Sequence, residues 1–429
     1  MTSPDRGVQQ RCVPKGRGNT EDGEVWCGNP LRSGGSFATL AGNDQPPIMS
    51  YPSVDALQRI LVENVFHYAI DKKKAAGRAL GTLIEVITFY TLKSWGLRNN
   101  ICIERPLSEY ANSGISHNVE YSLHPVIQQT NFPLSKYALP LTATKLRREI
   151  FRANPAPPDL VERATHILSS DGVLRNACTL GENPVGPFIA SIDERTPERL
   201  LLSIAHLHKH PFAIFECKRV GVEEGQKKGP QTIEKAKQGA YVARSVSALQ
   251  KVRSTDGSFL GVIQRANGEL YIGPYDKLLR EIIDSKDPDL LSHFILTVGV
   301  VSNHGNWFTK ENHNKELKVL AQSYDWLLFL SDRGLADFIN ELLLSPTPLL
   351  EPARKAFLAS YAAEKKRNRF TKVSMDVEAD IVLQKYFKTH RDRVQGWFNV
   401  IAPAQGTLEI LQQELVTLHT KNWKEIYHL

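Results

Sequence analysis

The stretch Phe212-Ala213-Ile214-Phe215-Glu216-Cys217-Lys218 decides how the chain is read. Two phenylalanines and an isoleucine in so short a run predict a buried strand. Pro211 marks its start. Residues i and i+2 of a strand share a face, so Glu216 and Lys218 project side by side from a strand whose other positions favour burial. Buried charge is costly unless it is paired or holds a metal. A carboxylate on a divalent cation, beside a lysine that holds a water or a phosphate oxygen, meets that cost and describes a site for phosphodiester chemistry. A salt bridge at a strand end meets it too, and an E-x-K tripeptide alone does not choose between them.

The surroundings add to the pattern. Arg219 to Gly229 is a basic, glycine-containing loop, and Pro230-Gln231 opens a helix predicted over residues 232 to 245. Ala236, Gly239, Ala240 and Ala243 form a small face that lies flat on a sheet, while Gln231, Lys235, Gln238 and Val242 make a second stripe. Strand, E-x-K, loop and helix in this order resemble the core of PD-(D/E)xK nucleases, with the closest look to type II restriction endonucleases. The resemblance spans about residues 78 to 301. Its motifs are short and degenerate.

Upstream, a helix is predicted from about Lys74 to Trp95, ending at Gly96. Glu85 is its only acidic side chain and shares a stripe with Gly81, Thr82 and Phe89, which leaves open space beside it. A solvated helix glutamate is the plain reading. Nucleases of this group often carry a helix glutamate near the metals before the first core strand, and Glu85 matches that place. Asn99 to Glu104 is a first strand and His117 to His124 a second. Glu120 and His124 could approach the site, but with no metal-ligand partner at a telling spacing they are read as supports for an inserted subdomain, and Lys145 to Arg148 as part of an insertion with DNA contacts.

His166-Ile167-Leu168-Ser169-Ser170-Asp171-Gly172-Val173-Leu174 resembles the D-G segment that precedes E-x-K in this group, with Ser170 where a proline is usual. A long gap then leads to Glu216, filled by a hairpin from Phe188 to Ile192 and Leu200 to Ile204. Asp193 competes at a shorter spacing, but Asp193-Glu194-Arg195-Thr196-Pro197 has turn composition. Asp171 is therefore taken as the metal aspartate. Further on, Asn267-Gly268 predicts a hairpin, and His293 to Val301 a buried strand joined to the E-x-K strand by a crossover.

At 429 residues the chain can bury a large core. A hydrophobic share of 41% and a charged share of 23% are those of a globular protein. The net charge of +7 suits a polyanionic partner. Five scattered cysteines without C-x-x-C argue against a zinc site or a disulfide framework and for a reducing cytosol. No run approaches the length of a membrane span. Residues 1 to 48 read as a poorly ordered extension, with Met49 as a possible original start. Residues 49 to 345 read as a nuclease core with inserted DNA-contacting elements, and 346 to 429 as a helical C-terminal subdomain. In that last part, Lys365, Lys366, Arg367 and Arg369 form a basic cluster among Phe357, Tyr361 and Phe370.

The resemblance implies an α/β fold: a restriction-endonuclease-like core with a mixed central sheet flanked by helices, plus an insertion and a helical C-terminal part. It implies Mg²⁺-dependent, site-specific hydrolysis of double-stranded DNA, with Mn²⁺ able to stand in. Asp171, Glu216 and the Cys217 carbonyl would hold the metal, Lys218 would position the water, and Glu85 and Gln238 would assist. Arg219, Lys227, Lys228, Lys235, Lys365, Lys366, Arg367 and Arg369 would meet DNA phosphates. A homodimer in a prokaryotic cytoplasm, paired with a cognate DNA methyltransferase, is the implied setting. A less sequence-specific nuclease of repair, recombination or mobile-element defence is the alternative, or a DNA-binding protein with an inactive nuclease core.

Overall fold

The computed structural model describes residues 54–67, 71–153, 157–196, 198–220, 230–303, 315–361 and 368–429, with the side chains of 54–56, 153, 219–220, 230–237, 303 and 315–317 left outside the description. Residues Met1–Met49 fall in a separate unit outside the described residues. So does the expectation of a poorly ordered extension there.

The predicted buried strand forms and sits inside a six-stranded sheet. Its strands are β1 (Ile101–Glu109), β2 (Asn112–Leu123), β3 (Ala213–Val220), β4 (Leu296–Asn303), β5 (Trp326–Leu330) and β6 (Phe398–Ala402), and they neighbour one another in chain order. The pairs β1–β2, β2–β3 and β5–β6 are antiparallel, and β3–β4 and β4–β5 are parallel. The protein is thus a mixed α/β fold. Parallel neighbours need crossovers, and helices supply them: α2 (Pro230–Ser245) lies between β3 and β4, and α3 (Lys315–Ser323) between β4 and β5.

β3 is apolar on both faces because both are covered. Ala213, Phe215 and Cys217 join the main core with α1 (Lys72–Ser94), whose Leu83, Ile84, Ile87 and Leu92 are buried there. Ile214 packs on the other face with Val242 and Val246 of the α2 side. Glu216 and Lys218 continue that second face. The Asn-Gly hairpin also forms, between Phe259–Gln264 and Leu270–Pro274, with Gly268 at φ +87°.

Between β2 and β3 an antiparallel five-stranded sheet is inserted, ordered Val126–Ser135, Arg199–Leu207, Pro187–Arg195, Cys178–Glu182, Val161–Glu162. The hairpin expected around residues 188 to 204 is its centre. A four-stranded sheet faces the same local core and is built from Ser374–Asp376, Val173–Arg175, His166–Leu168 and Leu141–Thr142.

The C-terminal stretch departs from expectation. It does not form a separate helical subdomain: Ser50–Leu429 is one compact unit. β6 lies in the central sheet, Ser374–Asp376 pairs onto the inserted region, and the main apolar cluster runs from Leu57 to Ile426. Helix α4 (Val377–Thr389) is tied to α1 through Asp380, which accepts from the Tyr90 hydroxyl at 2.7 Å and from Lys93 Nζ at 2.9 Å. No helix among the described residues is long and apolar enough to cross a membrane. Cys102, Cys178 and Cys217 are free and buried.

Two glycines set the approach of β4 and α2. A Cβ at Gly299 would lie 2.8 Å from the Tyr324 ring, and one at Gly239 would lie 2.6 Å from the Tyr324 hydroxyl. Tyr324 fills the wedge between them, fully buried. Gly299→Ala should cost about 1–3 kcal/mol by overpacking, read as a lower melting temperature. With Tyr324→Val added, the pair should lose less than the sum of the single losses, because the clashing ring is gone; strict additivity would refute the wedge.

Candidate active site

β2 and β3 pair over only three positions, Leu123 with Ala213, Ser122 with Ile214 and Tyr121 with Phe215. The ladder stops where Glu120 and Glu216 stand, and the two glutamates replace it. The Glu120 backbone N–H donates to Glu216 Oε1 at 3.0 Å, and the Cys217 N–H donates to Glu120 Oε2 at 2.9 Å. Each carboxylate satisfies a backbone donor that the parting strands leave without a ladder partner, which buried N–H groups require. Both glutamates are buried, at 6% and 4% exposure.

Lys218 Nζ lies 2.9 Å from Glu216 Oε2. Its stem runs past Gly239, where a Cβ would lie in ordinary contact, 3.5 Å from Lys218 Cε. Burial alone would depress the Lys218 pKa, but the Glu216 carboxylate outweighs it and holds the pKa above the ordinary value. Lys218 is therefore an ammonium donor and not a base. The Cys217 side chain turns to the opposite face, where its thiol meets Thr88 Oγ1 at 3.4 Å, and burial pushes the thiol well up. Only its carbonyl could serve a cation on the Glu216 side.

Glu85 of α1 joins from the side. The Tyr121 hydroxyl donates to its backbone carbonyl at 2.8 Å. Its carboxylate lies 3.3 Å from Lys372 Nζ, which also lies 3.3 Å from Glu104 and bonds directly to Glu120 Oε1. Burial, then the Glu120 charge, raise the Glu85 pKa to about 8. The expected helix glutamate is thus part of the cluster. As they stand, no three His, Cys, Asp or Glu side chains among the described residues are gathered so as to hold a metal ion. The donor chemistry nevertheless fits a hard cation: Glu120 and Glu216 face one another, and each carboxylate has lone pairs beyond the bonds it makes.

Asp171 is the main correction. It lies in the turn between His166–Leu168 and Val173–Arg175, in a different sheet. There it pairs with Arg369 at 2.9 Å and accepts from Ser169 Oγ at 2.5 Å. The acidic partner that meets the E-x-K strand is Glu120. Asp193 is not that partner either, being paired with Arg98 at 2.9 Å. Arg369 is clamped by Asp171 and Asp376, both at 2.9 Å, so its charge is already balanced by two carboxylates. Gln238 is exposed, and its neighbour Gly239 is the helix position that faces Lys218. The side chains of Arg219 and Lys235 lie outside the described residues, as do Lys227, Lys228, Lys365, Lys366 and Arg367. His124 is structural: burial pushes its pKa down to about 3, and it bonds the His208 carbonyl and Ser122.

Glu120 was legible by the argument used for Glu216, because it too is a charge inside a buried strand segment. Lys372 gave no local signal, since it reaches Glu120 from a turn distant in sequence. A cavity of about 660 Å³ adjoins the cluster between β1 and the inserted sheet, lined in part by Glu104, Arg105, Arg163 and Arg175. No protein-family model matches the chain, and no curated protein or solved structure matches it significantly.

The raised Glu85 pKa has a sign for stability. A group whose folded pKa exceeds its unfolded value adds stability below the unfolded value and loses it as pH rises through the folded one. In metal-free protein the Glu85 contribution is therefore present below about pH 4.5 and lost by about pH 8. Glu85→Gln cannot ionise. Melting curves in EDTA from pH 5 to 9 should show wild type falling more steeply, with the variant the more stable above pH 8. Parallel curves would count against the buried carboxyl.

Proposed function

We propose that the protein is a metal-dependent nuclease that hydrolyses phosphodiester bonds of double-stranded DNA. The observation that carries the reading is the reciprocal contact of Glu120 and Glu216 where β2 and β3 part, with Lys218 on the second carboxylate. Salt-bridge chemistry alone explains Lys218 and Glu216. It does not explain why a second buried carboxylate meets the same strand, with Glu85 beside it. The central mixed sheet flanked by helices, the E-x-K strand at its middle and the glutamate helix before the first core strand are what the PD-(D/E)xK resemblance leads one to expect. Glu120 takes the part first given to Asp171.

Glu120, Glu216 and the Cys217 carbonyl would hold Mg²⁺ or Mn²⁺. Such an ion supplies Lewis acidity to the scissile phosphate and a bound water of lowered pKa. The chain's own groups do the rest. Lys218, fixed by Glu216, donates to the attacking water or to a phosphoryl oxygen and offsets charge that develops on it. Apolar residues on both faces of β3 keep that charge out of bulk water, where it would be screened. Water oxygen adds to phosphorus as the bond to the departing sugar oxygen breaks. The net charge of +7 suits a polyanion. Site-specific cutting by a homodimer with a cognate methyltransferase, in the manner of a type II restriction enzyme, is the setting we assign, since both strands must be cut at related positions.

The test is cleavage of plasmid DNA by the full chain with and without EDTA. Glu216→Gln and Glu120→Gln should each lower the rate on the order of 100-fold or more by loosening the metal. Lys218→Ala should cost about 10²–10³-fold while DNA binding survives. Asp171→Asn should leave cutting nearly unchanged. Full activity in EDTA, or loss with Asp171→Asn but not with Glu120→Gln, would overturn the assignment.

A further inference from the structure

Lys372 belongs to no motif, yet three carboxylates meet it among the described residues. Carboxylates from three elements converge on its ammonium: Glu85 of α1 at 3.3 Å, Glu104 of β1 at 3.3 Å, and Glu120 of β2 in direct hydrogen bond. The residue is 8% exposed. Burying a long, flexible lysine costs rotamer entropy as well as desolvation, so its placement needs a cause. The carboxylates of Glu104 and Glu120, turned toward one point, repel one another unless a cation stands there.

The backbone holds that cation in place. Asn176 Nδ2 donates to the Lys372 carbonyl at 3.1 Å, and the Asn176 N–H donates to the Val373 carbonyl at 2.9 Å. Thr371 and Ser374 close the turn around it, with the Thr371 N–H donating to the Ser374 carbonyl at 2.8 Å. This is a fixed ammonium on a braced turn, bonded to the Glu120 oxygen that the Cys217 N–H does not use. Glu120 therefore divides two cation positions. Its Oε1 side is filled by Lys372. Its Oε2 accepts from the Cys217 N–H, beside Glu216 on the next strand.

Resting on the nuclease reading above, we infer that Lys372 is a built-in cation that takes the place of a second divalent metal, so that the site works with one metal, held between Glu120 and Glu216. Its expected roles are positional: it fixes the Glu120 carboxylate, balances Glu104 and holds Glu85 beside them, without touching the reacting phosphate.

The test counts metal without asking for catalysis. Mn²⁺ is titrated into the full chain at pH 8 in the absence of DNA, and free Mn²⁺ is followed by electron paramagnetic resonance. Wild type should bind one Mn²⁺ per chain, lost in Glu216→Gln. Lys372→Met should bind a second Mn²⁺, or bind the first at least about tenfold tighter through the freed Glu120 oxygen. Lys372→Arg, which keeps the charge, should return to one. Two Mn²⁺ per wild-type chain, both lost in Glu120→Gln, would overturn the inference even if Lys372→Met fails to fold. So would a folded Lys372→Met that binds one Mn²⁺ at unchanged affinity. A wild type that binds no Mn²⁺ would instead take down the metal-dependent reading itself. Cleavage lost in Glu216→Gln alongside two bound Mn²⁺ would remove only the role given to Lys372.

Discussion

The site depends on two strands that stop pairing. β2 and β3 run together for three residue pairs and then part. Parting strands leave buried N–H groups without a ladder, and each such group left unsatisfied costs about 1–3 kcal/mol. Here the donors of Glu120 and Cys217 are taken by the carboxylates of Glu216 and Glu120. One exchange thereby does two jobs. It closes the backbone account of the sheet, and it forces two anionic groups to face each other in a dry place. Every neighbouring charge follows from that: Lys218 on the outer oxygen of Glu216, Lys372 on the outer oxygen of Glu120, and Glu85 and Glu104 drawn to Lys372.

The apolar frame keeps this arrangement in register. β3 is packed by α1 on one face and by α2 on the other, so a slip by one residue would bury Lys218 against α1 and drive Phe215 into the charged face. Gly239 and Gly299 let Tyr324 wedge in beside Lys218. Burial raises the Tyr324 hydroxyl pKa well above its ordinary value, followed by the charge of Glu216, so it stays a neutral wall to the site. Apolar and neutral walls strengthen each charge–charge contact that they enclose.

Several elements of the fold were legible because they are strongly patterned. The α1 helix, the E-x-K strand, the inserted hairpin at 188 to 204, the Asn-Gly hairpin and the crossover strand all lie where periodicity and turn residues put them. The misses have physical causes. Trp326-Leu327-Leu328-Phe329-Leu330 is a short apolar run, which suits a buried parallel strand as well as a helix segment. Reading residues 346 to 429 as helical likewise hides β6 and Ser374–Asp376. Asp171 was chosen by its Asp-Gly pair, yet that pair serves a turn: Gly172 adopts φ +82°, the left-handed region a tight turn requires. Glu120 was passed over because strand order cannot be read from spacing. An insertion between β2 and β3 separates Glu120 and Glu216 by nearly a hundred residues, while the sheet sets them side by side.

The C-terminal stretch shows why the site is a property of the whole fold and not of its motif. Arg369 clamps Asp171 to Asp376, Ser374–Asp376 adds a strand to the inserted region, and Asp380 anchors the next helix to Tyr90 and Lys93 of α1. These ties bracket Lys372 on both sides. They fix one turn against the insertion and against the helix that carries Glu85, so its ammonium arrives at Glu120 without a search. A flexible lysine would sample many rotamers and leave the carboxylates unbalanced for much of the time. A cross-braced one keeps Glu120 turned toward Cys217, and so keeps the opening between β2 and β3 set for whatever cation Glu216 is to share.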